Sequence, residues 1–200
     1  MSDQLFADEP VHAARPHPIH LVVTDDLVRS RLTVFFRLLL FIPHAIWWYV
    51  WSVGMAFVVV VAWLIALFAG RLPLGLHALL SAYTRYTTHL YAYIWIAADP
   101  FPGFVGAPGY PVDVEIADPA SQSRLTIFFR LLLAIPAYIV TSVLQNVAFI
   151  VAILAWFVSL FTGRMHKGIH ELLAYCLRYQ AQTFGYALLL TQRYPSFSED

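Results

Sequence analysis

The stretch RLTIFFRLLLAIP, Arg124 to Pro136, nearly repeats RLTVFFRLLLFIP, Arg31 to Pro43, and the offset of 93 residues between them holds along most of the chain. At that offset Trp63 meets Trp156, Gly70-Arg71 meets Gly163-Arg164, and His77 meets His170. Arg85-Tyr86 meets Arg178-Tyr179, and Pro18 meets Pro111. Self-similarity this extended marks a tandem duplication. Whatever one half folds into must therefore be open to the other.

Each copy contains an apolar arm, Leu32 to Ala69 and Leu125 to Thr162. With 60% hydrophobic and only 12% charged residues, the chain departs from soluble composition and belongs in a bilayer. One crossing takes about 20 residues, so each arm has the length for two short ones. The most polar points, Trp51 to Gly54 and Leu144 to Val147, are the candidate turns, and Trp47, Trp48, Tyr49 and Trp51 gather there as aromatics do at an interface. This predicts a helical hairpin in each arm, with the first helix kinked at Pro43 or Pro136. The competing reading has Arg31 to Phe41 lying flat at the interface, followed by one long tilted crossing.

Short β-branched segments, Ile19 to Val23 and Val112 to Ile116, precede the arms, and the second alternates apolar and acidic residues as a half-buried strand does. Their match at the common offset predicts that the two strands pair across the pseudo-symmetry axis. After Gly70 and Gly163 a third helix is expected, about Leu74 to Ala97 and Gly168 to Thr191. Its polar arc, His77, Ser81, Thr84, Arg85, Thr88 and His89, predicts an amphipathic helix lying in the headgroup plane. The expected fold is an all-α integral membrane protein of two parallel tandem repeats, each a short surface strand, a transmembrane helical hairpin and an amphipathic interfacial helix. Residues 1–17 read as a flexible tail, 18–104 as the first repeat and 111–197 as the second.

Charge is segregated. Between Leu27 and Ala98 stand Arg29, Arg31, Arg37, Arg71 and Arg85 with no acid, and between Pro119 and Ser198 the only acid is Glu171. With two crossings per arm all 12 Lys and Arg fall on one side. The positive-inside rule then puts both termini and the linker in the cytoplasm, and parallel repeats imply a pseudo-twofold axis along the membrane normal.

The candidate polar contacts are Arg37, His77, Arg85, Arg130, His170 and Arg178. His77 with Arg85, and His170 with Arg178, are spaced to share a helix face, where they would meet lipid headgroups. Arg37 and Arg130 lie inside apolar runs, so they must snorkel or find partners. No nucleophile stands with a base, and no metal or phosphate-loop motif occurs. Neither an enzymatic role nor a cofactor or metal is expected, and no surface suggests nucleic acid.

The order RLTxFFRLLLxIP, a Trp near the end of the arm, F-x-G-R, Gly-x-His, Arg-Tyr and a closing Y/F-P-x-F resembles an uncharacterised bacterial membrane family, common in actinobacteria, that carries one or two copies of this unit. His166-Lys167 departs from the Pro73-Leu74 of the first copy. The resemblance implies a membrane fold and supplies no catalytic residues. The expectation is a non-enzymatic, multi-pass accessory or scaffold subunit of a bacterial plasma membrane, packing against anionic lipid or a larger membrane complex. The alternative is a small transporter or lipid-handling protein with a polar site between the repeats.

Overall fold

A computed structural model describes residues 16–198. The expected tail falls almost wholly outside them. The chain runs β1 (Ile19–Val23), α1 (Arg31–Ala69), α2 (Leu74–Ile94), β2 (Val112–Ile116), α3 (Arg124–Phe128), α4 (Arg130–Thr162) and α5 (Lys167–Ala187). Its two halves repeat one plan of strand, long apolar helix and shorter helix.

The two strands pair antiparallel with Leu21 opposite Val114. These two residues are equivalents at the 93-residue offset, so the pseudo-twofold axis passes through that pair, as the strand match implied. An isolated two-stranded ribbon is marginal, and this one is backed by helices: β1 lies on α5 and β2 on α2. Ile19 seats where Gly185 has no side chain, since a Cβ there would stand 1.9 Å from the Ile19 Cδ1.

Each arm is one helix, not a hairpin. α1 is continuous for 39 residues from the Ser30 cap to Gly70, and the second arm is interrupted only at Phe129 (φ −88°, ψ 9°). Ser52 and Asn146, polar residues that mark the expected turns, are satisfied without one. Ser52 Oγ donates to the Trp48 carbonyl at 2.6 Å and meets the Tyr83 hydroxyl at 2.7 Å, while Asn146 Nδ2 donates to the Ser142 carbonyl at 2.7 Å. Reversal happens instead at Gly70 and Gly163, whose φ of 72° and 70° suits glycine. Nor does α1 break at Pro43, as the flat-then-crossing reading required.

The two arms run antiparallel to each other. Trp156 Nε1 donates to the Val34 carbonyl at 2.9 Å, and Trp63 Nε1 to the Ile127 carbonyl at 2.8 Å. The start of each arm thus meets the end of the other. A twofold axis reverses any element perpendicular to it, so the arms lie across the axis.

α1 and α4 are long and apolar enough to cross a membrane. Each buries only a narrow stripe, in α4 mostly small residues, Ala134, Ala137, Ala148, Ala152 and Ala155, which let neighbouring helices approach closely. Only 17% and 22% of their most apolar stretches are buried, whereas the core helix of a soluble protein is mostly buried. α2 and α5 pack on each other and form the middle layer between the arms and the ribbon. This overturns the interfacial third helix: His77, Ser81, Thr84, Thr88 and His89 are buried, with Thr84 and Thr88 donating back to Leu80 and Thr84 carbonyls. An amphipathic pattern distinguishes two faces without saying which one is inside, and here the polar arc turns inward.

The segment after α2 folds back along it at Gly106, which has φ 64° and where a Cβ would lie 2.2 Å from the Ala82 carbonyl oxygen. Gly106→Ala should therefore destabilise the fold by about 2 kcal/mol or more, from backbone strain and clash together. Gly103→Ala, where a Cβ meets nothing within 4 Å, should be near neutral. Thermal unfolding of the two variants in detergent checks the contrast.

Candidate functional site

A helix ends with carbonyls that lack intrahelical partners. α2 and α5 end inside the protein, where water cannot serve them, so side chains must. At the end of α2, Arg29 Nε donates to the Ile96 carbonyl at 3.0 Å and Nη2 to Ala97 at 2.9 Å. Arg37 Nη1 donates to the carbonyls of Tyr93 and Ala98, and its Nη2 to Asp99 Oδ1 at 3.0 Å. His170 Nε2 donates to the Ala97 carbonyl at 2.9 Å. Asp25, its side chain 3% exposed, pairs with Arg29 at 2.7 Å and stands 3.5 Å from His170. Cations at a helix C-terminus also complement its dipole.

The second copy builds the same knot. Arg130 Nη1 donates to Tyr186 and Thr191 carbonyls at 3.0 and 2.7 Å, and its Nη2 to Gln122 Oε1. Gln122 Nε2 donates to the Leu189 carbonyl at 2.6 Å. Both arginines lie over a tyrosine, Arg37 4.5 Å from the Tyr93 ring and Arg130 4.3 Å from Tyr186. Ile96 and Leu189 adopt φ of 63° and 64°, a costly conformation for such residues. It turns the terminal carbonyls toward their donors, and charge-assisted bonds offset the strain.

A third cluster ties α2 to the ribbon. Asp113 Oδ1 meets His89 Nε2 at 2.7 Å and Arg85 Nε at 3.3 Å. Its Oδ2 accepts from the Gly109 amide at 2.8 Å, and Tyr110 stacks on His89. At the corresponding place in α5, Gln182 accepts from the Ser196 amide at 3.0 Å, and Arg178 donates to the Phe197 carbonyl at 3.1 Å. The Arg85, His89 and Asp113 cluster holds an orienting acid and an imidazole, but no nucleophile joins them.

The six residues singled out from sequence are thus distributed over separate partners. Arg37 and Arg130 are each 1% exposed, and His77 and His170 are 7% and 5% exposed. Burial takes these four away from the headgroup contacts expected of them; the arginines found partners rather than snorkelling. Arg85 and Arg178 are half-buried beside Asp113 and Phe197. Sequence reasoning missed Asp25, Arg29 and Asp99 because they sit in connecting segments, and Asp113 because in β2 it reads only as a polar residue of an alternating strand. A signal existed: Asp25 and Asp118 stand at the repeat offset, as do His170 and His77, and Asp118 is an electrostatic neighbour of His77 just as Asp25 is of His170.

An apolar recess of about 420 Å³ opens between α1 and α4 over Trp95 and Ile96, walled by Leu38, Phe149, Ala152 and Phe157. No group of three or more potential metal ligands occurs among the described residues.

Residues 31–105 and 124–199 each match a domain of unknown function, DUF4389. The chain belongs to the DUF4389 family. No curated protein and no solved structure matches it. Both matched segments begin at the arms, so the ribbon and the acids Asp25 and Asp118 lie outside the DUF4389 units while bonding or facing their histidines.

Two outcomes test the knots. Arg37→Met takes the guanidinium from the Tyr93 and Ala98 carbonyls and the counter-charge from Asp99 and should cost about 3 kcal/mol or more, whereas Asp99→Gln, the residue found at the equivalent position 192, should cost under about 1 kcal/mol. Unfolding midpoints of the purified variants distinguish the two.

The pH dependence follows from the histidines of α2 and α5. Burial holds His77, His89 and His170 below the ordinary 6.5, against the smaller opposite pull of Asp118, Asp113 and Asp25. The unfolded chain then takes up protons first as pH falls, so stability is full above about pH 6.5 and declines below it. The thermal midpoint should drop between pH 7.5 and pH 5, and should drop less in His89→Gln, which installs the residue of the second copy.

Proposed function

We propose that this protein is a non-enzymatic membrane scaffold, an accessory subunit held in a bacterial plasma membrane with both chain ends on the cytoplasmic face, that packs against anionic lipid or a larger membrane complex. The observation that carries this reading is how the polar groups are used. Arg29, Arg37, Arg130 and His170 are bonded to helix ends and His89 to the ribbon, while α1 and the arm of α3 and α4 present apolar side chains outward along their length, from Leu32 to Phe68 and from Leu125 to Phe161. A surface of that extent marks contact with lipid or protein. The six candidate residues share no common partner, which weighs against a solute path between the repeats.

The apolar recess beside Ala152 favours one second reading, lipid handling, because its walls suit an acyl chain and offer little to a polar solute. Extraction into native-lipid particles followed by mass analysis separates the two. A stoichiometric protein partner is the expected result for a scaffold. A chain recovered alone with one enriched lipid, lost on Ala152→Leu, supports lipid handling and overturns the scaffold.

A further inference from the structure

We propose that α1 and α4 do not cross the membrane: they lie side by side in its plane within one leaflet, with α2, α5 and the ribbon stacked on the aqueous side. The proposal rests on the membrane reading above and specifies its geometry. Four observations carry it.

The first is length. Exposed apolar side chains run from Leu32 to Phe68 on α1, about 54 Å at about 1.5 Å per residue. The hydrocarbon core is about 30 Å thick, so a straight crossing that kept this surface in lipid would tilt by about 56°, beyond the roughly 40° limit of membrane helices. Lying flat accommodates the whole length. A single helix layer is about 10 Å thick, less than the roughly 15 Å of one leaflet's hydrocarbon.

The second is charge. Because the arms are antiparallel, exposed Arg31 neighbours Gly163 and Arg164 at one end, and Gly70 and Arg71 neighbour Gln122, two residues from exposed Arg124, at the other. A crossing would place one cation pair on each side of the membrane, against the positive-inside tendency. An in-plane seat puts all four at the headgroups of one face, where anionic phospholipid attracts them.

The third is the axis. It passes through the Leu21–Val114 pair and runs across both arms. Were the arms to cross, the axis would lie at the bilayer centre, carrying into hydrocarbon a ribbon with open edges and the exposed Glu115. Open edges and lipid-facing carboxylates are not tolerated there. With the arms flat, the axis becomes the membrane normal and the ribbon is the part farthest from lipid.

The fourth is the midpoint of the arms. Tyr49, Ser142 and Asn146 are exposed at mid-length, and a crossing would set them at the centre of the bilayer.

The test is side-specific labelling. Arg31→Cys and Arg71→Cys mark the two ends of α1, and Arg124→Cys and Arg164→Cys provide a second pair should either of the first fail to fold. Native Cys176 is buried and gives little background. Each variant is treated with a membrane-impermeant maleimide in sealed right-side-out and in inverted vesicles from the expressing cells. The expected result is that both members of a pair label in the same vesicle type and stay protected in the other. Members labelling from opposite faces overturn the in-plane seat while leaving the membrane reading intact. A chain released by carbonate washing overturns the membrane reading itself.

Discussion

The terminal carbonyls of α2 and α5 set the terms for the rest of the molecule. Both helices end inside the protein, and a carbonyl stranded there costs as much as a lost hydrogen bond. A guanidinium supplies several donors in a planar fork, so Arg37 and Arg130 can each bridge two carbonyls while stacking on a tyrosine. That requirement holds the arm at a set depth against the shorter helix. It also accounts for an arginine in the midst of LTVFF and RLLL, where lipid alone would exclude it.

The two knots differ in charge but keep one set of hydrogen bonds. The first contains Asp25, Arg29, Arg37 and Asp99; the second has Gln122, Arg130 and Gln192 at the matching places, while Asp118, the counterpart of Asp25, is exposed. Where the first copy has a buried cation and an acid, the second has two amides. Gln122 still reaches the Leu189 carbonyl as Arg29 reaches Ile96, and Gln192 still accepts the Ser123 amide as Asp99 accepts that of Ser30. Duplicated units can thus diverge in chemistry while holding one geometry, because the hydrogen bonds are what the dry interior constrains.

Parts of this were plain in the sequence and parts misleading. β1 and β2 were located residue for residue, since alternation and the repeat offset both pointed to them. α2 and α5 were placed to within a few residues by their bounding glycines. The hairpin was wrong because Ser52, Gln145 and Asn146 look like turn residues in an apolar run, yet at least Ser52 and Asn146 find partners one helical turn back, and a helix that keeps its own bonds has no cause to stop. The polar arc of α2 was assigned to the surface because hydropathy is blind to a covering ribbon. Asp113 is hard to see as a partner because its ion pairs join residues far apart in sequence, and Asp25, though only four residues from Arg29, because outside a helix that spacing carries no meaning.

By itself, then, the sequence determined the duplication, the strand pairing, the helix that follows each arm and the apolar character of the arms, all of which are local patterns or copies of them. The tertiary structure alone decided that the arms run antiparallel, that neither turns back at its polar middle, and that the buried arginines belong to helix ends. Direction and partnership are set by where the pseudo-twofold axis falls relative to the helices, and that depends on the joint packing of both copies around α2 and α5.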